Sequence, residues 1–454
     1  MAVRKVRAIL LASNDDVAAA LDTVESSGLI TVIHNASGEA VADLIARHAI
    51  PFGHKVAVRD IAHGQKINRY GFPIGIATTE IKKGEHVHGH NMRSMLSPAS
   101  KQEAKPSAMR SARWAHDVVK GCLQAVGAHS EGAEAMATAV TEAHLRGVET
   151  HGLRRLRPYV TRLRSGGVNA TARPQADQNQ GLVRIDGGNG IGHHVAAFAA
   201  NAVSDAAWQF GIAMALVRNS NHFGFAGYYA TLIAGRRQLG IVTSNGQVCV
   251  GPGGSTKPLL SNNPIAIAAP TGRLDSYLEL DLATSVTSRA NVVEAARSGA
   301  LLPDGWAQDE NGMPTRDPAA ALVGSLVAFG AEKGFGLLIA LEALTGVLSG
   351  GAYADQVSSK EASPDAPEGT AHTMIAIDLE KAIGADLYAR RLDDLLHRLK
   401  TLPTRPSADP IRYPGERRWN LRRRRLKDGV PLSDAELGDV VSLTHELGVA
   451  NPGT

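Results

Sequence analysis

Cysteine is nearly absent: the 454 residues contain two, Cys122 and Cys249, which excludes a disulfide framework and, without CxxC spacing, a thiolate zinc site. A reducing compartment is the expectation. Aromatics are also scarce, at 4%, so the core must be built from Ala, Val, Leu and Ile, while 47 glycines provide many tight backbone turns. No stretch reaches the about 18 uninterrupted apolar residues that span a bilayer. The N-terminal MAVRKVRAILLASNDD holds too short an apolar run for a signal peptide, so a cytoplasmic location is expected. The formal charge of only +4 argues against a nucleic-acid partner: the basic run Arg417 to Arg425 reads as a solvated face, and Trp419 alone does not supply interleaved aromatics. With 44% hydrophobic and 20% charged residues, the balance is that of a soluble globular α/β protein of two or three domains.

Residues 97–108, SPASKQEAKPSA, combine Pro, Ser, Ala and Lys without apolar periodicity and read as a linker. Before it, in residues 1–96, short β-rich runs such as KVAVRDI and PIGIATTEI alternate with Gly turns, the pattern of a small mostly-β module. After it, in residues 109–453, Ala-rich amphipathic helices alternate with strands such as IAMALVRNS, as in a mixed α/β domain. YADQVSSKEASPDAPEGTA, residues 353–371, reads as a loop.

Two histidines stand in contexts suited to chemistry. In Glu149-Thr150-His151-Gly152-Leu153-Arg154-Arg155, a helical chain would set His151 and Arg155 on one face, so that an imidazole and a guanidinium meet one small acid. The second, His222, lies in NSNHFG directly after the apolar strand IAMALV, where strand-end loops hold ligand groups. Singly, each is more often structural. SNNPIAIAAP followed by LELDLATS offers side-chain and backbone donors for a ribose or pyrophosphate. In GAEKGFGL, Lys333 opens an apolar helix, a suitable place for a phosphate. IDGGNGIG does not fit GxGxxG with an acidic residue about 20 positions on. It reads as a turn into a helix near His193, with His193 and His194 structural, and the inference of a Rossmann fold from it fails.

In order along the chain, THGLRRLRPY, VRNSNHFGFAGYYA, SNNPIAIAAP, DLATS, GWAQDENGMPTRDP, EKGFGL and RYPGERR resemble the malate/L-lactate dehydrogenase family of non-Rossmann enzymes, which includes ureidoglycolate, sulfolactate and diketogulonate-type dehydrogenases and reductases of cyclic imino acids. The resemblance implies a homodimer, NAD or NADP, and a 2-hydroxy or 2-oxo acid substrate. It makes His151 and His222 alternative acid/base candidates, with Arg155 gripping the substrate carboxylate. It carries cofactor contacts to Asn245, to Asp281, Leu282, Ala283, Thr284, Ser285, Val286 and Thr287, to Glu332 and Lys333, and to Gly415, Glu416 and Arg417. Thr150 and Asn262 fall at substrate-side positions. The sequence departs from the family pattern where Thr150 replaces Ser, Ser261-Asn262 replaces Gly-Thr, and Ala331 replaces Gly.

In the first module, GEHVHGHN places His86, His88 and His90 at alternate positions. On a strand all three would share one face and form a divalent-metal site with His54 as a fourth ligand; the alternative is a polar strand edge. The run from His54 to Asn91 is similar to the β-clip, SAF-like domain of the altronate/galactarate dehydratase family, which also contains the small subunit of sulfolactate sulfo-lyase. That resemblance implies a polar acid, a metal or a separate lyase chain as the module's partner, and a lyase as the alternative function. Together the two resemblances point to sulfolactate or a sugar acid as substrate.

Overall fold

The computed structural model describes residues 6–35, 37–69, 72–94, 108–274, 276–359, 362–404 and 409–450. The chain divides into two compact units, Met1–Glu103 with Leu302–Gly305, and Ala104–Leu301 with Trp306–Thr454. The linker reading of residues 97–108 lies, apart from Ala108, outside the described residues.

The small unit is strand-rich. Its six-stranded sheet runs in the order Ala40–Ile45, Leu29–His34, Val6–Leu10, Val17–Ala20, Lys55–Ala57, His86–Val87, and a three-stranded sheet holds Lys66–Arg69, Phe72–Ala77 and Met92–Ser94. Alternating side chains such as Val6, Ala8 and Leu10 point into a core with Ile30, Val32 and Val56, as a period of two requires.

The large unit is built on a seven-stranded sheet in the order Gln175–Asn179, Leu182–Asp186, Ile212–Ser220, Thr370–Asp378, Gln238–Ser244, Ile265–Pro270, Tyr277–Leu282. Every pairing is antiparallel except Leu182–Asp186 with Ile212–Ser220. This is no doubly wound parallel sheet, in agreement with the reading of IDGGNGIG as a turn. Helix Gly192–Phe210 packs on the sheet through Ala196, Ala199, Ala200, Val203 and Ala207 against Ala213, Ala215 and Ala376. Side chains this small let helix and sheet approach closely, which is how a core with few aromatics reaches native density.

The basic run 417–425 departs from expectation. Arg418, Arg422 and Arg425 lie four and three residues apart on one face of helix Glu416–Asp428 and turn inward, their side chains 25%, 22% and 6% exposed. Arg418 pairs with Glu279 (2.9 Å) and Asp281 (3.1 Å), Arg422 with Glu142 (2.7 Å) and Arg425 with Glu149 (2.7 Å). Arg146 completes the network through Glu142 (2.8 Å) and Glu279 (3.4 Å). Charges enter an interior when paired, and the acidic partners are scattered over 140 residues of sequence.

Candidate active site

The loop after strand Ile212–Ser220 is held from three sides. The Asn221 side chain donates to Asn189 O (3.2 Å), Asn189 Oδ1 (2.9 Å) and Gly190 O (2.9 Å). Arg162 bridges Asn221 Oδ1 (3.2 Å) and the Glu368 carboxylate (2.9 Å). Glu368 in turn accepts the His222 backbone N–H at 3.0 Å. A side chain at Gly192 would meet Asn221 O at 2.1 Å and His222 O at 2.5 Å, so the glycine lets the helix start against this loop. Below it, His372 joins Ser220 Oγ through Nε2 and Ser244 Oγ through Nδ1, both at 2.8 Å, and stacks on Phe223. Burial lowers the His372 pKa to about 3, so it serves as a neutral strut.

His222 meets His151 above this floor. Their rings are parallel to within 8°, with centroids 5.7 Å apart. The chain around His151 is not the continuous helix expected. Two 3-10 turns, Glu149–His151 and Leu153–Arg155, are separated at Gly152, because His144 Nε2 takes the Leu153 N–H at 2.9 Å. The residues still converge. Thr150 Oγ1 lies 3.0 Å from His151 Nδ1, and Arg155 Nε donates to Thr150 O at 3.1 Å. Helix Leu156–Arg164 then brings Tyr159, whose hydroxyl is 2.8 Å from His222 Nδ1. Burial holds the Tyr159 phenol well above its usual pKa, so it stays protonated. Behind Tyr159, edge-on at 5.1 Å, His193 is 1% exposed and burial lowers its pKa to about 3.

The expected cofactor positions form a connected ridge elsewhere in the large unit. Asn262 O accepts the Thr284 N–H and hydroxyl, both at 2.9 Å. Ser285 bridges Ala328, and Phe329 N donates to Thr284 O, which leads directly to helix Glu332–Glu342 with Glu332 and Lys333 exposed at its start. At the other end, Glu279 N donates to Pro414 O, and Gly415, at φ +91° with Glu279 Cβ 2.8 Å from where its own Cβ would stand, opens helix Glu416–Asp428. Arg417 is exposed, while Glu416 pairs with Lys400. Asn245 is 4% exposed and spends its side chain on Ala352 O, Glu342 and the Ala371 N–H. The structure therefore shows it as a brace of the ridge.

A nicotinamide dinucleotide fits this ridge. Gly330 and Ala331 both hold positive φ, +62° and +53°, so the chain turns abruptly into the helix and leaves Lys333 beside its first amides, a suitable setting for phosphate.

In the small unit the expected three-histidine strand face does not form. The strand ends at Val87, and a turn follows, tied by Asn91, which accepts the His88 N–H and donates to His86 O, both at 3.0 Å. The rings still cluster: His54 Nδ1 is 2.8 Å from His86 Nε2, and centroids lie 5.0 to 5.6 Å apart among His54, His86, His88 and His90. Among the described residues, however, no group of three or more His, Cys, Asp or Glu side chains is arranged to hold a metal ion. His54 and His86 meet directly through their ring nitrogens, and His88 and His90 stack or tilt against them.

Residues 111–440 match the malate/L-lactate dehydrogenase family. The chain belongs to that family. Residues 6–95 match the SAF domain of altronate/galactarate dehydratase. The chain is 32% identical over 334 residues to the L-sulfolactate dehydrogenase of Methanothermobacter thermautotrophicus, covering 73% of this chain and 95% of the relative. It is 34% identical over 320 residues to the (2R)-3-sulfolactate dehydrogenase (NADP(+)) of Chromohalobacter salexigens, covering 70% and 93%. The solved malate dehydrogenase of Entamoeba histolytica superposes with a TM-score of 0.72 at 26% identity, over 76% of this chain and 99% of that one.

Within this malate/L-lactate dehydrogenase fold, sequence reasoning missed Tyr159, Arg162, Glu368, His372 and Arg418. Tyr159 had a usable signal, standing four residues after Arg155 at a helical spacing. Arg418 closes RYPGERR and Arg162 follows THGLRRLRPY by three residues, but neither motif shows the distant carboxylate it pairs with, and Glu368 and His372 carry no local signal. Among the described residues, no helix is long and apolar enough to cross a membrane.

Proposed function

We propose that the large unit interconverts a 2-hydroxy acid and its 2-oxo acid, with NAD or NADP as the redox partner and sulfolactate, malate, lactate or a sugar acid as candidate substrate. The observation that carries this reading is the convergence of Arg155, His151 and His222 at one strand end, braced by Arg162, Glu368 and Tyr159. Thr284, Ser285, Thr287, Lys333 and Gly415 to Arg417 would hold the dinucleotide, which supplies hydride acceptance or donation at the substrate's C2 when bound. Arg155 supplies a planar pair of donors for the substrate carboxylate, anchored from behind by Thr150 O. That grip orients C2 and its oxygen toward the two imidazoles, and orientation is itself a large part of a bimolecular barrier. The histidines exchange the hydroxyl proton and stabilise charge on the C2 oxygen. Asn262, its backbone carbonyl taken by Thr284, would offer its side chain to the substrate.

Exposed Leu337, Ile339, Leu344, Val347 and Leu348 on and after helix Glu332–Glu342 support a homodimer, which light scattering of the purified chain tests. The match of residues 6–95 to a dehydratase SAF domain favours a second reading, in which the small unit serves a companion lyase chain. The two separate in one assay. The purified protein is incubated with NAD or NADP and, in turn, sulfolactate, malate, lactate, aldonates and a cyclic imino acid. Absorbance change at the reduced nicotinamide band with a hydroxy acid supports the dehydrogenase. Change only with the imino acid moves the reaction to imine reduction, and no change with any of them overturns the oxidoreductase reading.

A further inference from the structure

Helix Glu332–Glu342, which carries Lys333 at its start, ends on a buried acid. Glu342 is 5% exposed, and its two oxygens take N–H groups from three separate segments. Asn263 Nδ2 donates to Oε2 at 2.7 Å, while Asn245 Nδ2 and the Ala354 N–H donate to Oε1 at 3.2 and 2.9 Å. Backbone groups, which can only donate or only accept, fix how the two amides point. Asn245 Oδ1 accepts the Ala371 N–H at 2.8 Å, and Asn263 Nδ2 also donates to Leu338 O at 3.2 Å. All three neighbours of the carboxylate are therefore donors, and among the described residues no cationic side chain pairs with it.

Burying a carboxylate without a cation is costly, and Leu338 and Leu341 on the same helix are buried at no such cost. What the acid supplies and a leucine does not is direction. Apolar packing is nondirectional, whereas these three bonds fix where each partner segment stands. The helix is shaped to suit them. Directly after Glu342 it widens into a π turn, Ala343–Val347, a device frequent at functional sites, and Leu344 O accepts Thr373 Oγ1 at 2.6 Å. Within that turn a Cβ on Gly346 would stand 2.8 Å from Asn245 Nδ2 and 2.5 Å from Ala352 O, crowding Asn245 away from the acid.

We propose that Glu342 is a positioning residue that sets the SNNP loop and the Asn245 loop against the helix bearing Lys333, and so fixes the dinucleotide ridge. This rests on the oxidoreductase reading above. From Glu342 the connection runs to Asn263, whose neighbour Asn262 accepts the Thr284 N–H at 2.9 Å, and from Thr284 O to the Phe329 N–H at 2.9 Å. The contacts thus return to the chain just before Glu332, where the helix opens. Thr284 and Lys333 are held in one frame.

The test exploits the direction of these bonds on the full chain. Glu342→Gln keeps an oxygen for Asn245 and Ala354 but turns an NH2 toward the NH2 of Asn263. Adding Asn263→Asp reverses that bond, the new amide donating to the new carboxylate, with net charge unchanged and only the Leu338 O contact given up. In the first arm NADH and NADPH are titrated, read by the fluorescence of the reduced nicotinamide. Glu342→Gln should weaken the better-bound nucleotide by about tenfold. Asn263→Asp alone, which sets two acids against each other, should weaken it at least as much. The double variant should bind more tightly than either, within about threefold of wild type. A Glu342→Gln protein that binds as wild type does, or a double variant that binds no better than Glu342→Gln, overturns the proposal. Should Glu342→Gln fail to fold, Asn263→Ser removes one donor, leaves two, and should weaken binding by about threefold; unchanged binding overturns the proposal equally. In the second arm, hydrogen–deuterium exchange compares the same variant with wild type. Peptides covering residues 281–287, 326–331 and 352–356 should exchange faster while those covering 182–186 and 212–217 keep wild-type rates, a pattern that a general loss of stability does not produce. Unchanged exchange in all three segments, or equal acceleration everywhere, overturns the proposal. This arm needs no nucleotide, so it judges the clamp even where wild type binds neither NADH nor NADPH and the oxidoreductase reading fails.

Discussion

Each unit of this protein gathers four histidines, and the two sets are held in different ways. In the small unit the rings of His54, His86, His88 and His90 lie against one another. His86 is pushed down to about 4 by burial and then by the neighbouring imidazoles. In the large unit His151, His193, His222 and His372 have different partners: a threonine hydroxyl, an edge-on tyrosine ring, a phenol with a backbone amide, and two serines. Proximity of imidazoles is thus cheap to achieve, since alternate positions near a turn suffice. Distinct protonation roles require a different donor or acceptor for each ring.

Experiments of decreasing expected effect separate the two sets of histidines. His151→Asn is expected to lower kcat by about 10²- to 10⁴-fold in steady-state assays, whereas the double change His54→Asn, His88→Asn leaves it within about twofold; equal losses would erase the distinction. Arg162→Met strands the buried Glu368 and removes the clamp on the His222 loop, so denaturant titration should show about 3–5 kcal/mol lost. A loss below about 1 kcal/mol would mean that the bracing in the large unit is not energetic. Arg155→Lys keeps the charge and loses the planar fork, which should raise KM about tenfold with a smaller change in kcat. An unchanged KM would place the substrate carboxylate elsewhere.

The pH dependence of stability separates the two sets further. His86, His193 and His372 are depressed, so the unfolded chain, with ordinary imidazole pKa near 6.5, binds protons at these positions that the folded chain refuses. Stability is therefore whole above about pH 6.5. It erodes as pH falls toward 4 for His86 and toward 3 for His193 and His372. Thermal midpoints recorded from neutral to acid pH should fall, and His86→Gln should flatten only the upper part of that fall. A midpoint that rises on acidification would contradict the burial of these rings. The smallest effect is expected at Ala331, where a non-glycine residue sits at φ +53° and ψ −121°. Ala331→Gly should relieve about 1 kcal/mol of backbone strain, partly offset by the added freedom of glycine in the unfolded chain. A slightly higher melting temperature at unchanged kcat is the result to look for.

Much of this was legible in the sequence, for identifiable reasons. Period-two strands, Ala-rich helices and the non-fitting glycines of IDGGNGIG are local patterns, and the structure repeats them. His151, Arg155 and His222 were legible because their motifs are contiguous. The inward turn of Arg418, Arg422 and Arg425 was not, because a basic run looks alike whether it faces water or the carboxylates of Glu142, Glu149, Glu279 and Asp281. The histidine face of GEHVHGHN failed for the opposite reason: alternation predicts a shared face only while the strand lasts, and the turn secured by Asn91 ends it at Val87.

Composition, periodicity and ordered motifs determined the strand-rich first unit, the mixed α/β second unit and the family, since each is written in contiguous stretches of chain. Tertiary structure alone decided what each imidazole faces. That choice depends on Tyr159, the Gly224 amide, Thr150, Glu368 and the two serines at His372. Thr150 and Gly224 are sequence neighbours of their histidines, but Tyr159 stands 63 residues from His222, Glu368 stands 146, and the two serines stand 128 and 152 from His372, so these contacts form only when distant strands and helices pack together.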